Sequence, residues 1–262
     1  MRPSGGEPFP IGFLLYPCKI RKSNHMRTDE ITDPGKETGP CLLDPSTATR
    51  FDGKAPAWDA DEGRRDLAAD IVRAVEREWP EGPKPRLLDY GAGTGLCSLP
   101  LASKCASVVA MDVSSGMLAR LEEKAHTAGM GNIRTLRHDL SSAPLDGLRF
   151  DVIVCAMTLH HVEDTGTLLA RFHSMLDPGG FLAIADLDTE DGSFHQDPAG
   201  VHHTGFSRDG LAKMMMAAGF TYVGLETVHR IRKQRDAVTR EYPVFISIAR
   251  INFRGDHPER AP

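Results

Sequence analysis

The sequence predicts an α/β domain built on a doubly wound, mostly parallel sheet. Short apolar runs alternate with amphipathic stretches along most of the chain, the pattern of strand–helix–strand units. Several runs, such as "FDVIVCAMTL", are continuously apolar, as expected of strands buried on both faces. The last two runs have no helix between them, which puts an antiparallel pair at one edge.

The elements follow in order. "DADEGRRDLAADIVRAVEREW" sets Leu67, Ile71, Val75 and Trp79 on one helical face, with Asp59 or Asp61 as cap and Pro80 as the stop. "RLLDY" is the first strand, "GAGTG" the turn after it, and "GLCSLPLASKC" the next helix. "SVVAMDV" is the second strand, followed by the helix "SSGMLARLEEKAHTAG" with Ser114 or Ser115 as cap and Gly129 near its end. "NIRTLRHDL" and "FDVIVCAMTL" are strands three and four. "GTLLARFHSML" is a helix ending at "DPGG", "GFLAIADLD" strand five, and "SRDGLAKMMMAAGF" a helix closed by Gly219. "TYVGLETVHRIR" and "PVFISIARI" make the final pair, joined by the polar "KQRDAVTRE". Residues 22–50 are polar and rich in Pro, Gly, Thr and Asp, so residues 1–46 are expected to be a disordered extension. The domain is expected over 47–252, with 253–262 as a tail.

Composition narrows the function classes. The formal net charge of -5 gives no global basic field for nucleic acid. No apolar run reaches the ~20 residues that span a bilayer. The five cysteines, Cys18, Cys41, Cys97, Cys105 and Cys155, form no CxxC pair, so neither a disulfide framework nor a zinc knuckle is indicated. "FPIGFLLYPCKI" makes a poor signal peptide, because prolines interrupt it and no small-residue cleavage site follows. A reducing cytoplasm is the simplest setting.

The glycine turn asks for a ligand. In an open α/β sheet, ligands bind beyond the carboxyl ends of the strands. Glycines there permit unusual dihedrals and let a ligand touch the backbone. Gly91, Gly93 and Gly95 are spaced GxGxG, unlike the dinucleotide fingerprint GxGxxG, and no GK[ST] follows as in a phosphate loop. Asp89, before the glycines, would repel a pyrophosphate and suit an ammonium or sulfonium group. Asp112, ending the second strand, can accept both hydroxyls of a ribose. Asp139, in "HDL", can accept a hydrogen bond from an exocyclic amine.

"LLDYGAGTG", "VVAMDVSSGML", "LRHDL", "FDVIVCAMTLHHVED" and "LDPGGFLAIADLD" resemble, in order and spacing, the motifs of the class I S-adenosylmethionine-dependent methyltransferases, most closely the small-molecule branch. "TRFDGKAPAWD" and "DGSFHQDPAGVHHTGF" resemble a bacterial-type subgroup with no assigned substrate. The resemblance covers roughly residues 50–250. It implies a Rossmann-like sheet of seven strands with the last antiparallel, S-adenosylmethionine as cofactor, and methyl transfer. It also implies residue roles: Gly91, Ala92 and Gly93 beneath the methionyl moiety with Asp89 nearby, and Asp112 on the ribose. Val113 or Met117 would pack on the adenine face, and Asp139 and Leu140 would flank the adenine.

The acceptor side is less legible. His160 and His161 follow the fourth strand, where an acceptor should lie; they either shape the pocket or take its proton. The irregular stretch with His195, His202, His203 and Phe206 is expected to line the substrate entrance, with Trp58 as a second wall. No recognised metal-ligand spacing occurs, so no metal is expected. The arginines of the last hairpin read as a solvated edge. A small-molecule acceptor is the first reading. RNA or protein methylation, or a silent partner subunit, are the alternatives. Against adenine-amino or glutamine methylation, "CAMTLHH" lacks an Asn/Asp-Pro-Pro-aromatic clamp; against cytosine methylation, Cys155 lies inside a strand.

Overall fold

A computed structural model of the chain describes residues 45–235 and 238–251. These belong to one unit, Thr38–Pro262. The expectations for residues 1–44 and 252–262, including Cys18 and Cys41, fall outside the described residues.

The sheet has seven strands in the order β3-β2-β1-β4-β5-β7-β6: β1 Arg86–Tyr90, β2 Ser107–Asp112, β3 Ile133–Arg137, β4 Phe150–Ala156, β5 Leu176–Leu187, β6 Tyr222–Arg235 and β7 Val238–Arg250. β1 through β5 pair in parallel, and β7 runs antiparallel between β5 and β6. Side chains alternate across a strand, so consecutive apolar residues feed opposite faces. Leu87, Val108 and Val152 pack on one side with Leu67, Ile71 and Val75. Leu88, Val109 and Ile153 pack on the other with Leu168, Phe172 and Leu211. Leu87 and Leu88 are fully buried, so truncating either to Ala would cost about 2–5 kcal/mol.

The helices begin where a side chain satisfies the orphan amides of their first turn. α2, Glu62–Arg77, is capped by Asp61; α4, Ser115–Thr127, by Ser114; α5, Thr165–Met175, by Asp164; and α6, Arg208–Ala217, by Ser207. α3, Ser98–Ala102, is little more than one turn. No described helix is long and apolar enough to cross a membrane.

Two expectations are corrected. Among the described residues, regular structure starts at Pro45, with α1 spanning Pro45–Asp52 and a 3₁₀ turn spanning Ala55–Ala60. Tertiary bonds hold this polar segment. Asp52 Oδ1 accepts from Ser114 Oγ at 2.6 Å and from Gly116 N at 2.7 Å, which also caps α4 from outside. The polar connection in the last hairpin is paired strand: Arg232 opposes Glu241, and Gln234 opposes Thr239. Both pairs bond through their side chains, at 2.8 and 2.9 Å.

Candidate active site

A cavity of about 670 Å³ opens at the carboxyl ends of the central strands. Its floor is the glycine loop and the ends of β1 and β2. Its far wall is the turn after β4. α1 and the 3₁₀ turn close one side, while residues 194–202 and the β6 strand close the other.

The loop conformation explains the glycines. Gly91, Gly93 and Gly95 have φ of 74°, 54° and 84°, the left-handed region that disfavours other residues. A Cβ on Gly91 would lie 2.1 Å from Thr158 Oγ1, and one on Gly95 2.8 Å from Leu121 Cγ. Those two are glycine for packing. Among the described residues, a Cβ on Gly93 would meet no atom within 4 Å, so this position leaves bare backbone beside open space.

The three acids differ in state. Asp89 is buried and accepts from Ser98 Oγ at 2.5 Å. Burial raises its carboxyl to about 6; the Ser98 bonds oppose this and Asp112 adds to it. Asp112 accepts Gly93 N and Ser114 N, each at 2.8 Å, one on each oxygen. Burial pushes it upward against those amides. Each oxygen keeps a further lone pair. Asp139 also feels burial, but hydrogen bonds from Ser141, Ser142 and Tyr90 prevail and hold its carboxyl below the usual range. Its oxygens already accept Tyr90 OH at 2.9 Å, Ser141 N at 2.8 Å and Ser142 Oγ at 2.6 Å.

Ala92, Val113 and Met117 line the same cavity, as does Trp58 under the Arg64 guanidinium, 4.0 Å above its ring. Leu140 does not. It is buried in the core with its carbonyl accepting from Arg171, because the chain turns inward after Asp139.

At the far wall the histidines pack together. His160 is 1% exposed; its Nδ1 lies 2.7 Å from Asp186 Oδ1. Asp186 also accepts the amides of His160 and Leu187. With three donors around it, Asp186 acts as acceptor, so the neutral imidazole is the tautomer with its proton on Nδ1 and a lone pair on Nε2. His161 Nδ1 lies 2.6 Å from the Gly200 carbonyl, and a carbonyl can only accept, which again leaves Nε2 unprotonated. His195 joins them, its ring centroid 5.0 Å from His160 and 5.6 Å from His161. Burial, then His160, lowers His161 to about 3. Burial, then His160, Lys233 and Arg50, lowers His195 to about 4. Both are therefore neutral near pH 7.

The walls are clasped together. The Arg50 guanidinium donates to the carbonyls of Asp197 and Ala199 and pairs with the Asp197 carboxylate at 2.8 Å. Phe51 meets Trp58 and His161 edge-on, with centroids 6.0 and 5.4 Å away. The amides of His202 and His203 donate to the His160 carbonyl.

Three expectations for the acceptor side change. Phe206 lies in the core, bridged through Asp188 to the end of β5, so it cannot wall the cavity. His203 turns away onto Phe206, its Nε2 2.9 Å from the Val162 carbonyl. His202 reaches the cavity as an exposed residue at its mouth. The last hairpin is not a solvated edge alone, since Ile231, Arg232 and Lys233 line the cavity.

Sequence reasoning missed Asp186, Arg50, Asp52, Thr158, His138 and Met157. Asp186 had a signal, an acid inside the apolar run "LAIADL". Met157 adopts φ 53°, a strained state for a non-glycine residue, at the cavity wall. Nothing in its local sequence marks that.

Residues 87–180 match the family model described as "Methyltransferase domain". An uncharacterized methyltransferase of Schizosaccharomyces pombe is 31% identical over 150 residues, covering 52% of this chain and 53% of that protein. The demethylmenaquinone methyltransferase of Streptomyces avermitilis is 33% identical over 146 residues, covering 53% and 59%. A ubiquinone biosynthesis O-methyltransferase of Azorhizobium caulinodans is 28% identical over 174 residues, covering 60% and 68%. The chain spans about half the length of the first curated relatives it matches. Among solved structures, the DhpI–SAH complex has a TM-score of 0.59 at 22% identity, covering 82% of this chain and 99% of that one. The [4+2]-cyclase SpnF has 0.62 at 18%, covering 79% and 96%. Both likenesses concern the fold alone. The motif order, the sheet topology and the matched domain agree: residues 87–180 carry a methyltransferase domain, and the chain is similar to the class I S-adenosylmethionine-dependent methyltransferases.

Proposed function

We propose that this chain is a methyltransferase that uses S-adenosylmethionine and acts on a small organic acceptor. The observation that carries the reading is the open space over Gly93, bordered by Asp112 and set in a covered cavity. The residues fit the cofactor. Asp89 offers a buried carboxylate to an ammonium group, Asp112 two acceptor oxygens to a diol, and Val113 and Met117 an apolar face to a base. Asp139 and His138 border the same end. When bound, the cofactor supplies an electrophilic methyl group on a sulfonium sulfur.

What the chain itself must do is hold an acceptor atom in line and keep water out. The clasp between Arg50 and the 194–202 loop supports that task. It also favours a small acceptor over a macromolecule, because Arg50 ties α1 to that loop across one side of the cavity. Phe51, Trp58 and Phe194 give the acceptor end an aromatic lining, and the histidines give it one polar end. The demethylmenaquinone and ubiquinone-biosynthesis relatives point to the same class of acceptor.

Calorimetry with S-adenosylmethionine and S-adenosylhomocysteine tests the cofactor, and a methyl-transfer screen over phenols, thiols, amines and carboxylic acids tests the acceptor. Micromolar binding of both forms is expected. A folded sample that binds neither would end the reading.

A further inference from the structure

We infer that His160, His161 and His195 form a binding site for one divalent transition-metal ion, open on its fourth side to the acceptor cavity. One ring nitrogen from each lies within 4.8 Å of one from each of the others. The nitrogens available are the right ones. Asp186 and the Gly200 carbonyl hold the Nδ1 protons of His160 and His161, so each turns an Nε2 lone pair outward. Among the described residues, His160 Nε2 and His195 Nε2 are buried with no hydrogen-bond partner. Burying a polar nitrogen without a partner is unfavourable; two such atoms in one cluster call for a common partner.

The chemistry of that partner follows from the donors. Three neutral imidazoles suit zinc, cobalt, nickel, copper or ferrous iron, and disfavour magnesium and calcium, which prefer oxygen. A metal-ligating histidine commonly donates its second nitrogen to a carboxylate or carbonyl, which is what Asp186 and Gly200 accept here. Three histidine ligands with an open fourth position is a catalytic rather than a structural arrangement. A tetrahedral ion with bonds of about 2.0–2.1 Å needs nitrogens closer together than 4.8 Å. Rotation of the partly exposed His195 can supply the approach. Arg50 and Lys233 disfavour positive charge at His195. Asp197, paired with Arg50, and Asp186, behind His160, offset them.

The site deepens the methyl-acceptor reading, and only its role rests on that reading. An ion there would bind an acceptor oxygen or sulfur in the fourth position and favour its deprotonated form. The proton leaves to solvent and the metal keeps its oxidation state. Local spacing hid the site because its ligands come from two segments, the turn after β4 and the loop after β5.

The test uses the full, tag-free chain, stripped with chelator and titrated with cobalt(II), read by visible absorption, and with zinc(II), read by calorimetry. One equivalent should bind with the visible bands of a four-coordinate cobalt site. His195→Ala should weaken binding at least ~100-fold and Asp186→Asn about 10–100-fold, while His126→Ala, on the exposed face of α4, should leave it unchanged. Absence of stoichiometric binding, or binding untouched by His195→Ala, would overturn the site. His195 lies on a loop, so its variant reports even if Asp186→Asn fails to fold. S-adenosylhomocysteine binding by the metal-free protein, measured separately, distinguishes loss of the metal site from failure of the methyltransferase reading.

Discussion

Replacing Asp89 by Asn should stabilise the ligand-free protein at neutral pH and weaken its hold on the cofactor. Asp89 is 1% exposed, and its carboxyl is raised to about 6, chiefly by burial. In the unfolded chain the group returns to about 3.9. Between these values the folded state binds more protons than the unfolded one. Its contribution is therefore fully present below about pH 4 and is lost as pH rises through about 6. A rise of about 2 units corresponds to ~3 kcal/mol, an upper bound for what ionising this buried acid costs the fold. Asn keeps the shape and an acceptor oxygen for Ser98, but it cannot ionise.

Thermal melts of both proteins without ligand, at about pH 4, 5.5 and 7.5, read the difference. At the acid end the two should melt together. By the neutral end the variant should lead by ~1–3 kcal/mol, at about 2–4 °C per kcal/mol for a domain of this size. Parallel pH profiles would show that burial of Asp89 carries no such cost and refute the reasoning. Calorimetry supplies the other half: the variant should bind S-adenosylhomocysteine more weakly, having lost the charge that faces an ammonium group. A site that gives up stability to keep a buried charge is a common trade for function.

Three further outcomes are expected. Asp112→Asn should weaken S-adenosylhomocysteine binding more than Asp139→Asn, because charge-assisted bonds are worth ~1.5–3 kcal/mol each and Asp139 already spends its oxygens on Tyr90, Ser141 and Ser142; equal losses by calorimetry would reverse the assignment. Gly93→Ala should cost only ~1–2 kcal/mol of stability for its left-handed backbone yet abolish cofactor binding, whereas Gly91→Ala should fail on stability first, its Cβ meeting Thr158; melting curves beside binding isotherms separate the two. Arg50→Ala should leave the melting temperature nearly unchanged, as exposed ion pairs contribute ~0–1 kcal/mol, but should speed amide exchange at His202 and His203, whose N–H groups the clasped loop holds on the His160 carbonyl.

The sheet was legible because its strands repeat one simple signal. Leu87–Leu88, Val108–Val109 and Val152–Ile153 each feed both faces, and only a doubly covered sheet uses such pairs. The caps at Asp61 and Ser114, each one of two candidates in the sequence, were legible for the same local reason. α1 was not, since it is polar and short. What holds it is remote: Asp52 on Ser114 and Gly116, and Arg50 on Asp197. The long hairpin was half legible. Its outer part alternates charges rather than apolar residues, and pairing of Arg232 with Glu241 stands in for the missing hydrophobic signal.

The site divides along the same line. The cofactor end is built from strand termini that follow one another in order, so Asp89, Gly93 and Asp112 announce themselves through spacing. At the acceptor end, the residues that matter are partners of partners. His160 is visible in "LHHVED", but its state depends on Asp186, 26 residues away and fully buried. His161 depends on a carbonyl at Gly200, 39 residues on, which no side-chain pattern can encode. His195 and His203 lie in one histidine-rich stretch and look equivalent in sequence. The fold turns the first onto His160 and the second onto Phe206. Gly205, at φ 76°, packs where a Cβ would lie 2.2 Å from the Asp188 carbonyl, which holds the end of the loop against the end of β5 beside the buried Phe206. A larger residue at Gly205 should therefore free the end of the loop and disturb the histidine cluster from a distance. Gly205→Ala tests this: cobalt binding and cofactor binding should part company, the first weakened and the second kept. Loss of both together, with the protein still folded, would mean that the two ends of the cavity are built as one.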